Sequence, residues 1–262
     1  MNPILENAVR YTIENDPDLK DKFVWYKSDI KRLRLWNKDL TELPEGIKEF
    51  PNLEVLDLTK NRLAHVPDWI VSMEKLRLLV VNHNCLENFP PLPPNLEDLS
   101  LNYNKLSTFP SLRETKLITL DITHNELISL PEFPFPPTLK QLDLSHNKIT
   151  RIPNTLQECQ VLDLWEMVDN QLSALPPVFS QLHMRRLVLN RNRFETFPIV
   201  IKEMDSLDHV ELLHNQIREL PQGLRLKSLG INGNPCRLPE APEIAYIDVR
   251  DCSLHRRFMT KK

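Results

Sequence analysis

The chain has 262 residues, a net charge of −3, only four glycines and 22 prolines. This near-neutral charge gives no overall attraction to nucleic acid or to an anionic membrane surface. The scarcity of glycine argues against Gly-rich phosphate-binding loops, and the abundance of proline favours many rigid, repeated turns.

Cysteine use and hydrophobic runs predict a cytoplasmic protein. The four cysteines show no CxxC spacing and no paired framework, which favours a reducing compartment. The N-terminal stretch lacks the basic and continuous apolar regions of a signal peptide. No apolar segment is long enough to predict a membrane-spanning helix.

Residues 1–29 are predicted to form a helical cap of two helices. Asp16 is predicted to be the N-cap of the second helix and Pro17 its first residue, since these residue types are preferred at those positions. Leu19, Phe23 and Val24 of that helix are expected to pack inward. Such a cap would shield the open end of a repeat core, and a separate partner-binding helix is the alternative. The first helix is indicated by apolar residues on one helical face: Ile4, Leu5, Ala8, Val9, Thr12 and Ile13.

From residue 30 to residue 254 the phrase LxxLxLxxNxLxxLP recurs in about eleven coils, spaced by 18 to 23 residues. Positions within a coil are numbered from its first apolar residue. Those first residues are Ile30, Leu53, Leu76, Leu96, Leu117, Leu139, Leu162, Met184, Leu207, Leu226 and Ile244. Position 9 is asparagine in nine coils: Asn61, Asn84, Asn104, Asn125, Asn147, Asn170, Asn192, Asn215 and Asn234.

This repeat predicts an α/β fold, a right-handed solenoid with a curved parallel β-sheet on its concave face. Leucines at positions 4 and 6 point inward from a short strand, and one coil cannot bury them alone, so coils must stack. The inward asparagines are expected to bond backbone groups of neighbouring coils. The return path should be extended or 3₁₀ rather than a long helix. Residues 255–262 would form a basic C-terminal tail.

One coil is ambiguous at the segment "LDLWEMVDNQL". The regular register places Trp165 and Met167 at the buried positions 4 and 6, and this register is favoured because it fills every preceding slot. If "WEM" is an insertion, the remainder reads as a regular strand phrase. In either arrangement the segment places larger side chains in the sheet than the leucines usual at these positions. A β-bulge there could redirect side chains.

Asp143, Ser145 and His146 are the three residue types of a hydrolase catalytic triad. In each of the other coils some of the same positions carry different residues, so these three are predicted to be ordinary residues of the repeat without a catalytic role. His124 and His146 could share a metal, but no spacing or acidic partner supports a site. Without a P-loop, HExxH or Gly-rich fingerprint, the sequence predicts a protein that is not an enzyme and has no cofactor.

Position 5 forms an acidic column on the solvent side of the predicted strands. Strands about 4.8 Å apart bring its carboxylates close together, so they would repel unless they are solvated or matched by a basic partner. The expected ligand is a protein that presents a basic segment, and a merely solvated face is the alternative. The predicted contact residues are Arg34, Trp36, Asp57, Tyr103, Asp121, Asp143, Glu166, Arg186, Glu211 and Asp248.

The coils resemble leucine-rich repeats of two subtypes. One, as in "LPEGIKEFPNLEVLDL", is similar to the LPxxIxxLxxL form common in intracellular eukaryotic and bacterial proteins. The other, as in "FPPLPPNLEDLSLNYN", is similar to the short proline-rich coils of effectors that pathogenic bacteria inject into host cells. Some such effectors carry a ubiquitin-ligase domain with a Cys-x-Asp motif. No cysteine here has Asp two residues later, so the resemblance covers the repeat portion only.

The resemblance implies a non-enzymatic protein–protein interaction scaffold, first of all a secreted bacterial effector that acts in the host cytosol. An endogenous intracellular adaptor that regulates a kinase, phosphatase or GTPase is the second reading. The third is the substrate-recognition subunit of a ubiquitin ligase whose catalysis is supplied in trans.

Overall fold

The computed structural model describes residues 2–17, 19, 24, 26–112, 115–131, 135–154, 162–237, 244 and 246–248. For residues 246–248 it describes the backbone only. The chain divides into two compact units, Met1–Glu126 and Leu127–Lys262, called unit 1 and unit 2 here. The predicted basic tail lies outside the described residues.

Unit 1 begins with helix α1, Pro3–Asn15, which confirms the first predicted cap helix. The side chain of Asn2 caps it by accepting a hydrogen bond from the backbone N–H of Ile4 at 2.8 Å. Its buried face packs on the first coil, where a Cβ added to Gly46 would stand 2.8 Å from Leu5 Cδ2. The helix therefore covers the end of the core, as a cap must.

The second predicted cap helix falls largely on residues 18, 20–23 and 25, which lie outside the described residues. Leu19 is buried, as expected. Val24 is 57% exposed, so the expectation that it packs inward was wrong. The backbone bends at Val24, and its side chain therefore does not lie on the buried face of a helix.

The strands of unit 1 are three residues long and parallel, one to each coil, in chain order. Each covers positions 3 to 5, and its central leucine pairs with the central leucine of its neighbours, from Leu33 to Leu120. The strands are β1 Arg32–Arg34, β2 Val55–Asp57, β3 Leu78–Val80, β4 Asp98–Ser100 and β5 Thr119–Asp121.

Unit 2 repeats this arrangement. Its strands are β6 Gln141–Asp143, β7 Leu164–Glu166, β8 Arg186–Val188, β9 His209–Glu211, β10 Ser228–Gly230 and β11 Tyr246–Asp248. Trp165 pairs with Leu142 and Leu187 at the centres of β6 and β8. Trp165 and Met167 are both completely buried, which confirms the regular register of this coil.

The return paths confirm the 3₁₀ prediction. Unit 1 contains the 3₁₀ turns Glu45–Glu49 and Asp68–Ser72, and unit 2 contains Pro177–Gln181 and Ile199–Glu203. Each of them follows a proline, whose fixed φ suits the start of a helical turn. Within the described part of the chain, no helix has the length and apolar character needed to cross a lipid bilayer.

The predicted asparagine ladder is present in both units. In unit 1, Asn84 Oδ1 accepts the N–H of Leu63 at 3.0 Å, and its Nδ2 donates to the carbonyl of Leu58 at 3.0 Å. In unit 2, Asn192 Oδ1 accepts the N–H of Leu172 at 3.0 Å, and its Nδ2 donates to Met167 at 2.7 Å. These amides satisfy buried backbone groups that the short strands leave without partners.

Position 8 adopts the left-handed backbone conformation wherever the structure describes it. This conformation turns the chain out of the strand, and it is costly for residues other than glycine and asparagine. The φ values lie between 52° and 56° at Asn37, Lys60, His83, Tyr103, His124, His146, Asp169, Arg191 and His214, and φ is 71° at Gly233. His83, His124, His146 and His214 therefore occupy a turn position of the repeat, as predicted for His146.

Candidate functional site

The open face of each unit is the side of the strands that carries positions 3, 5 and 7, opposite the inward position 4. Position 5 is the last residue of every strand, so the predicted acidic residues stand at strand ends. Trp36 and Tyr103 follow β1 and β4, and both are exposed. The side chain of Asp248 at the end of β11 lies outside what the structure describes.

The aspartates at position 5 have a local structural role that the sequence analysis missed. Asp57 Oδ1 accepts the backbone N–H of Thr59 at 3.0 Å, and Asp121 Oδ1 accepts that of Thr123 at 3.0 Å. Asp143 makes the equivalent bond to Ser145 at 2.9 Å. These are Asx turns, in which a short carboxylate closes the backbone two residues on. The signal was available as Asp followed two residues later by Thr or Ser.

On the open face of unit 1, further hydrogen bonds occupy Asp121. Its Oδ2 accepts Asn102 Nδ2 at 2.7 Å and Ser100 Oγ at 3.3 Å. Asn82 Oδ1 extends the network by accepting Ser100 Oγ at 2.9 Å and the N–H of Asn102 at 3.0 Å. Both oxygens of Asp121 are thus engaged within the protein, which leaves this carboxylate poorly placed to anchor a partner.

Three rings stack along position 8 of unit 1. Tyr103 lies between His83 and His124, with ring centroids 4.3 Å and 4.1 Å apart and interplanar angles of 9° and 12°. Tyr103 remains 46% exposed. Stacked aromatic rings hold one another in place, and an exposed rigid aromatic is a common contact at protein interfaces.

On the open face of unit 2, Asp143 and Glu166 face each other. They are paired in register at the ends of β6 and β7. Partial burial raises the pKa of Glu166, the charge of Asp143 raises it further, and Arg186 opposes the shift. Neither carboxyl group forms an ion pair with any residue that the structure describes.

Arg186 and Glu211 neutralise each other beside this carboxyl pair. Arg186 Nη2 donates to Glu211 Oε1 at 2.8 Å, and Asn190 Nδ2 donates to Glu211 Oε2 at 2.9 Å. The predicted contacts Arg186 and Glu211 therefore lie together, and both oxygens of Glu211 are occupied. Asp143 and Glu166 are left without an ion pair among the described residues, and Arg186 acts on Glu166 only as a neighbouring charge.

Apolar side chains border the carboxyl pair. Val188 pairs in register with Glu166 and is almost completely buried, and Leu164 and Val168 on the same strand face are half-buried. Leu213 covers the end of β10, where a Cβ on Gly230 would stand 2.7 Å from Leu213 Cδ1. The open face of unit 2 thus combines two carboxyl groups that form no ion pair with a described residue and the apolar side chains beside them.

A ladder of opposite charges at position 2 was also missed. Arg77 grips Glu97 through both carboxylate oxygens at 2.6 Å and 2.7 Å, which raises the pKa of Arg77. In unit 2, Lys227 donates to Asp208 at 2.7 Å and lowers the pKa of Asp208. The alternation of charge sign at position 2 was the signal. These two ion pairs each join neighbouring coils.

The residues that resemble a triad are engaged elsewhere. Ser145 is buried, and its Oγ accepts the N–H of Val168 at 3.1 Å. His146 Nδ1 lies 3.0 Å from Asp169 Oδ2, on the next coil. Within the described ranges, no three His, Cys, Asp or Glu side chains are arranged to hold a metal ion.

Comparison with known proteins matches the leucine-rich-repeat family model to residues 28–86 and 115–172. A protein phosphatase 1 regulatory inhibitor subunit PPP1R7 homolog of Arabidopsis thaliana is 34% identical over 110 residues, which cover 39% of this chain and 32% of that protein. A probable inactive serine/threonine-protein kinase, roco10 of Dictyostelium discoideum, is 30% identical over 110 residues, or 38% of this chain and 4% of that one. The chain thus spans a third or less of these relatives.

Two solved bacterial structures share the fold. A leucine-rich-repeat protein of Leptospira interrogans is 29% identical with a TM-score of 0.71, covering 86% of this chain and 67% of its own. YopM, a leucine-rich effector protein from Yersinia pestis, is 28% identical with a TM-score of 0.69, covering 85% of this chain and 61% of its own.

Proposed function

Since the chain is a leucine-rich-repeat protein that resembles bacterial members of this family, we propose that it is a non-enzymatic scaffold that binds a protein partner through its open faces. The pair Asp143 and Glu166 in unit 2, which forms no ion pair with a described residue, carries the proposal. The strands hold this pair in a fixed geometry, and a binding surface held in advance loses less entropy on association.

The partner supplies a lysine or arginine to this pair. Burial is the main cause of the raised pKa of Glu166, and the charge of Asp143 adds to it; a cation placed between the two carboxyl groups relieves that second contribution. Arginine suits the site well, because its planar fork can donate to two carboxylates at once. An aliphatic residue next to that cation would contact Leu164 and Val168. Binding therefore selects a basic residue with an apolar neighbour.

The remaining predicted contacts have unequal roles in this proposal. Trp36, Tyr103 and Arg34 are exposed in unit 1 and extend the contact surface there. Asp57, Asp121 and Asp143 each close their own turn, and Asp143 differs from the other two by its place beside Glu166, so Asp57 and Asp121 are assigned a contribution of charge only. Arg186 and Glu211 border the carboxyl pair as a neutral element. Asp248 remains a proposed contact because it is the last residue of β11, the same strand position as the other acidic residues.

Capture from cell lysate tests the binding proposal. The full chain, Glu166→Lys and the control Glu87→Lys are immobilised at equal amounts, after circular dichroism has verified their folding. Glu87 is an exposed glutamate of the return path, so its reversal changes net charge equally without touching the open face. A protein held by the wild type and by Glu87→Lys, but lost from Glu166→Lys, supports the proposal. Equal capture by all three contradicts it.

For the biological setting, we propose a secreted bacterial effector that acts in the host cytosol. The likeness to YopM over 85% of this chain supports this setting. An endogenous adaptor that regulates a phosphatase is the second candidate, and the match to the plant phosphatase regulatory subunit favours it. Delivery of a tagged chain from infecting bacteria into the host cytosol supports the effector. Retention of the tagged chain in the bacteria supports the adaptor instead.

A further inference from the structure

An exposed isoleucine stands out on the return side of unit 2, away from the open face. The first residue of each 3₁₀ turn is Glu45, Asp68 or Pro177 in other coils, and it is Ile199 in the turn Ile199–Glu203. Ile199 is 59% exposed. A large aliphatic side chain therefore points to solvent at a position where two other coils carry a carboxylate, and the repeat fold does not require it.

A groove runs along each side of Ile199. The first has a volume of about 480 Å³, and Leu175 and Pro177 line it across from Val200. The second has a volume of about 440 Å³ and extends to Leu220. Val200 and Leu220 are nearly buried, so both grooves have apolar floors.

Unequal coil lengths account for the second groove. The coil that contains Ile199 runs for 23 residues from Met184 to Leu207, and the next runs for 19 from Leu207 to Leu226. The shorter coil has no 3₁₀ turn between Pro221 and Leu226, and Gly223 turns the chain there with φ of 68°. One flank of the turn Ile199–Glu203 is consequently left without a neighbouring turn.

The charges at the grooves identify the occupant. Glu195, Glu203 and Glu219 line them, against a single cation, Arg218. A second copy of the chain could fit its own ridge into a groove, but it would bring these carboxylates against one another, which costs free energy. A basic partner matches them.

We propose that the grooves on both sides of Ile199 dock an extended segment of another protein that carries two bulky apolar side chains and a lysine or arginine. Side chains two residues apart on an extended chain point the same way, about 6.6–7 Å apart. One can enter each groove, with the residue between them lying over Ile199. This docking site is separate from the open face, so one chain could hold two protein segments.

The experiment selects a display library of random twelve-residue peptides against the full chain. Synthetic versions of the enriched peptides are then titrated by fluorescence polarisation. The test variant is Ile199→Glu, since Glu45 already occupies this position in another coil. The matched control is Ile128→Glu, because Ile128 is 57% exposed in the same unit and its coil position carries Glu87 and Glu195 elsewhere.

The proposal expects enriched peptides that contain apolar residues at i and i+2 with a nearby basic residue. Their affinity should fall at least tenfold with Ile199→Glu and stay unchanged with Ile128→Glu. The double reversal Glu203→Lys with Glu219→Lys should also weaken binding at least tenfold, and it leaves Ile199 in place should that substitution disturb folding.

Three results would overturn the proposal: no enriched peptide, enriched peptides that are acidic, or peptides that Ile199→Glu does not weaken. Self-association in sedimentation that Ile199→Glu abolishes would assign the grooves to a second copy instead, and would overturn it too. Peptides sensitive only to Glu166→Lys would overturn the docking site while supporting the open-face function.

Discussion

Unit 1 and unit 2 are built from the same kind of coil, with the same asparagine ladder, but they differ on their open faces. In unit 1 the carboxylate of Asp121 is enclosed by hydrogen bonds from Ser100, Asn102 and Thr123. In unit 2 the facing pair Asp143 and Glu166 forms no ion pair with a described residue, although the charge of Arg186 acts on Glu166, and the pair borders apolar side chains. Both oxygens of Asp121 in unit 1 are thus occupied within the protein, whereas the pair Asp143 and Glu166 in unit 2 is the one that we propose binds a ligand.

This difference depends on side-chain length. An aspartate at position 5 reaches the backbone N–H two residues on, and Asp57, Asp121 and Asp143 all make this bond. No such bond forms at Glu166 or Glu211, whose carboxylates contact neighbouring strands instead. An aspartate at this position therefore closes its own turn, and a glutamate does not.

The asparagine ladder should give the largest effect and the same effect in both units. Asn84→Ala in unit 1 and Asn192→Ala in unit 2 each leave several buried backbone groups unpaired, at about 1–3 kcal/mol for each group. A loss of at least about 3 kcal/mol is expected for either, measured by urea unfolding. A loss in one unit only would mean that the two scaffolds are not equivalent.

Gly233→Ala should be the next largest change, and it acts in unit 2. The left-handed backbone costs an alanine about 1–2 kcal/mol, and the new Cβ would overlap the imidazole of His214. Adding His214→Ala should remove the steric overlap and restore that part of the lost stability, but not the part due to the left-handed backbone.

In unit 1, Tyr103→Ala keeps its left-handed backbone and should lose only ring stacking, about 0.5–1.5 kcal/mol for each pair. Thermal melts of the variants measure both.

Asp143→Glu tests whether side-chain length decides the role of position 5. The longer carboxylate loses the bond to the N–H of Ser145, so a destabilisation of about 0.5–1.5 kcal/mol is expected. Asp143→Asn keeps an acceptor oxygen and should be close to neutral. If both variants lose the same stability in urea, charge rather than turn closure matters at this position.

Glu166→Gln should have a smaller effect, with a definite pH dependence. Burial raises the pKa of Glu166 in the folded chain, so its ionisation weakens folding as pH rises from its ordinary value of 4.5 through the raised pKa. Glu166→Gln should therefore be more stable than the wild type at neutral pH, and the difference should vanish below pH 4.5. Urea midpoints measured across this range decide it, and a less stable variant at neutral pH would contradict the account.

Asp208→Asn should give the smallest effect, with the opposite sign. Lys227 lowers the pKa of Asp208, so this carboxylate stabilises the fold above its ordinary value of 3.8 and loses that contribution as pH falls through the lowered pKa. Asp208→Asn is expected to be slightly less stable than the wild type at neutral pH and equal at strongly acidic pH. Screening by added salt should reduce the difference, since the pair is exposed.

The repeat allowed most of the scaffold to be predicted from sequence. The spacing of leucine and asparagine predicted each strand, the ladder and the burial of Trp165, because one packing solution recurs in every coil. The prediction that Val24 packs inward was wrong. Val24 lies outside the repeat, where no sequence period indicates which side chains are buried.

The candidate site was less predictable than the scaffold. Position 5 was predicted to be one acidic column. Hydrogen bonds from the backbone N–H of position 7 distinguish its aspartates, which close a turn, from its glutamates, which do not. The grooves beside Ile199 depend on which return paths lie side by side, and coil length alone did not show that. Surface chemistry arises between coils, whereas a repeat pattern describes each coil separately.

The most direct test compares one carboxylate from each open face, using the partner captured with the wild type. Its Kd is measured by calorimetry for the wild type, Glu166→Lys in unit 2 and Asp98→Lys in unit 1. Both replaced residues are half-buried acids on strands, and neither closes a turn. The account predicts at least a tenfold loss of affinity for Glu166→Lys and a markedly smaller loss for Asp98→Lys. Equal losses, or a larger loss for Asp98→Lys, would contradict the assignment of the anchor to unit 2.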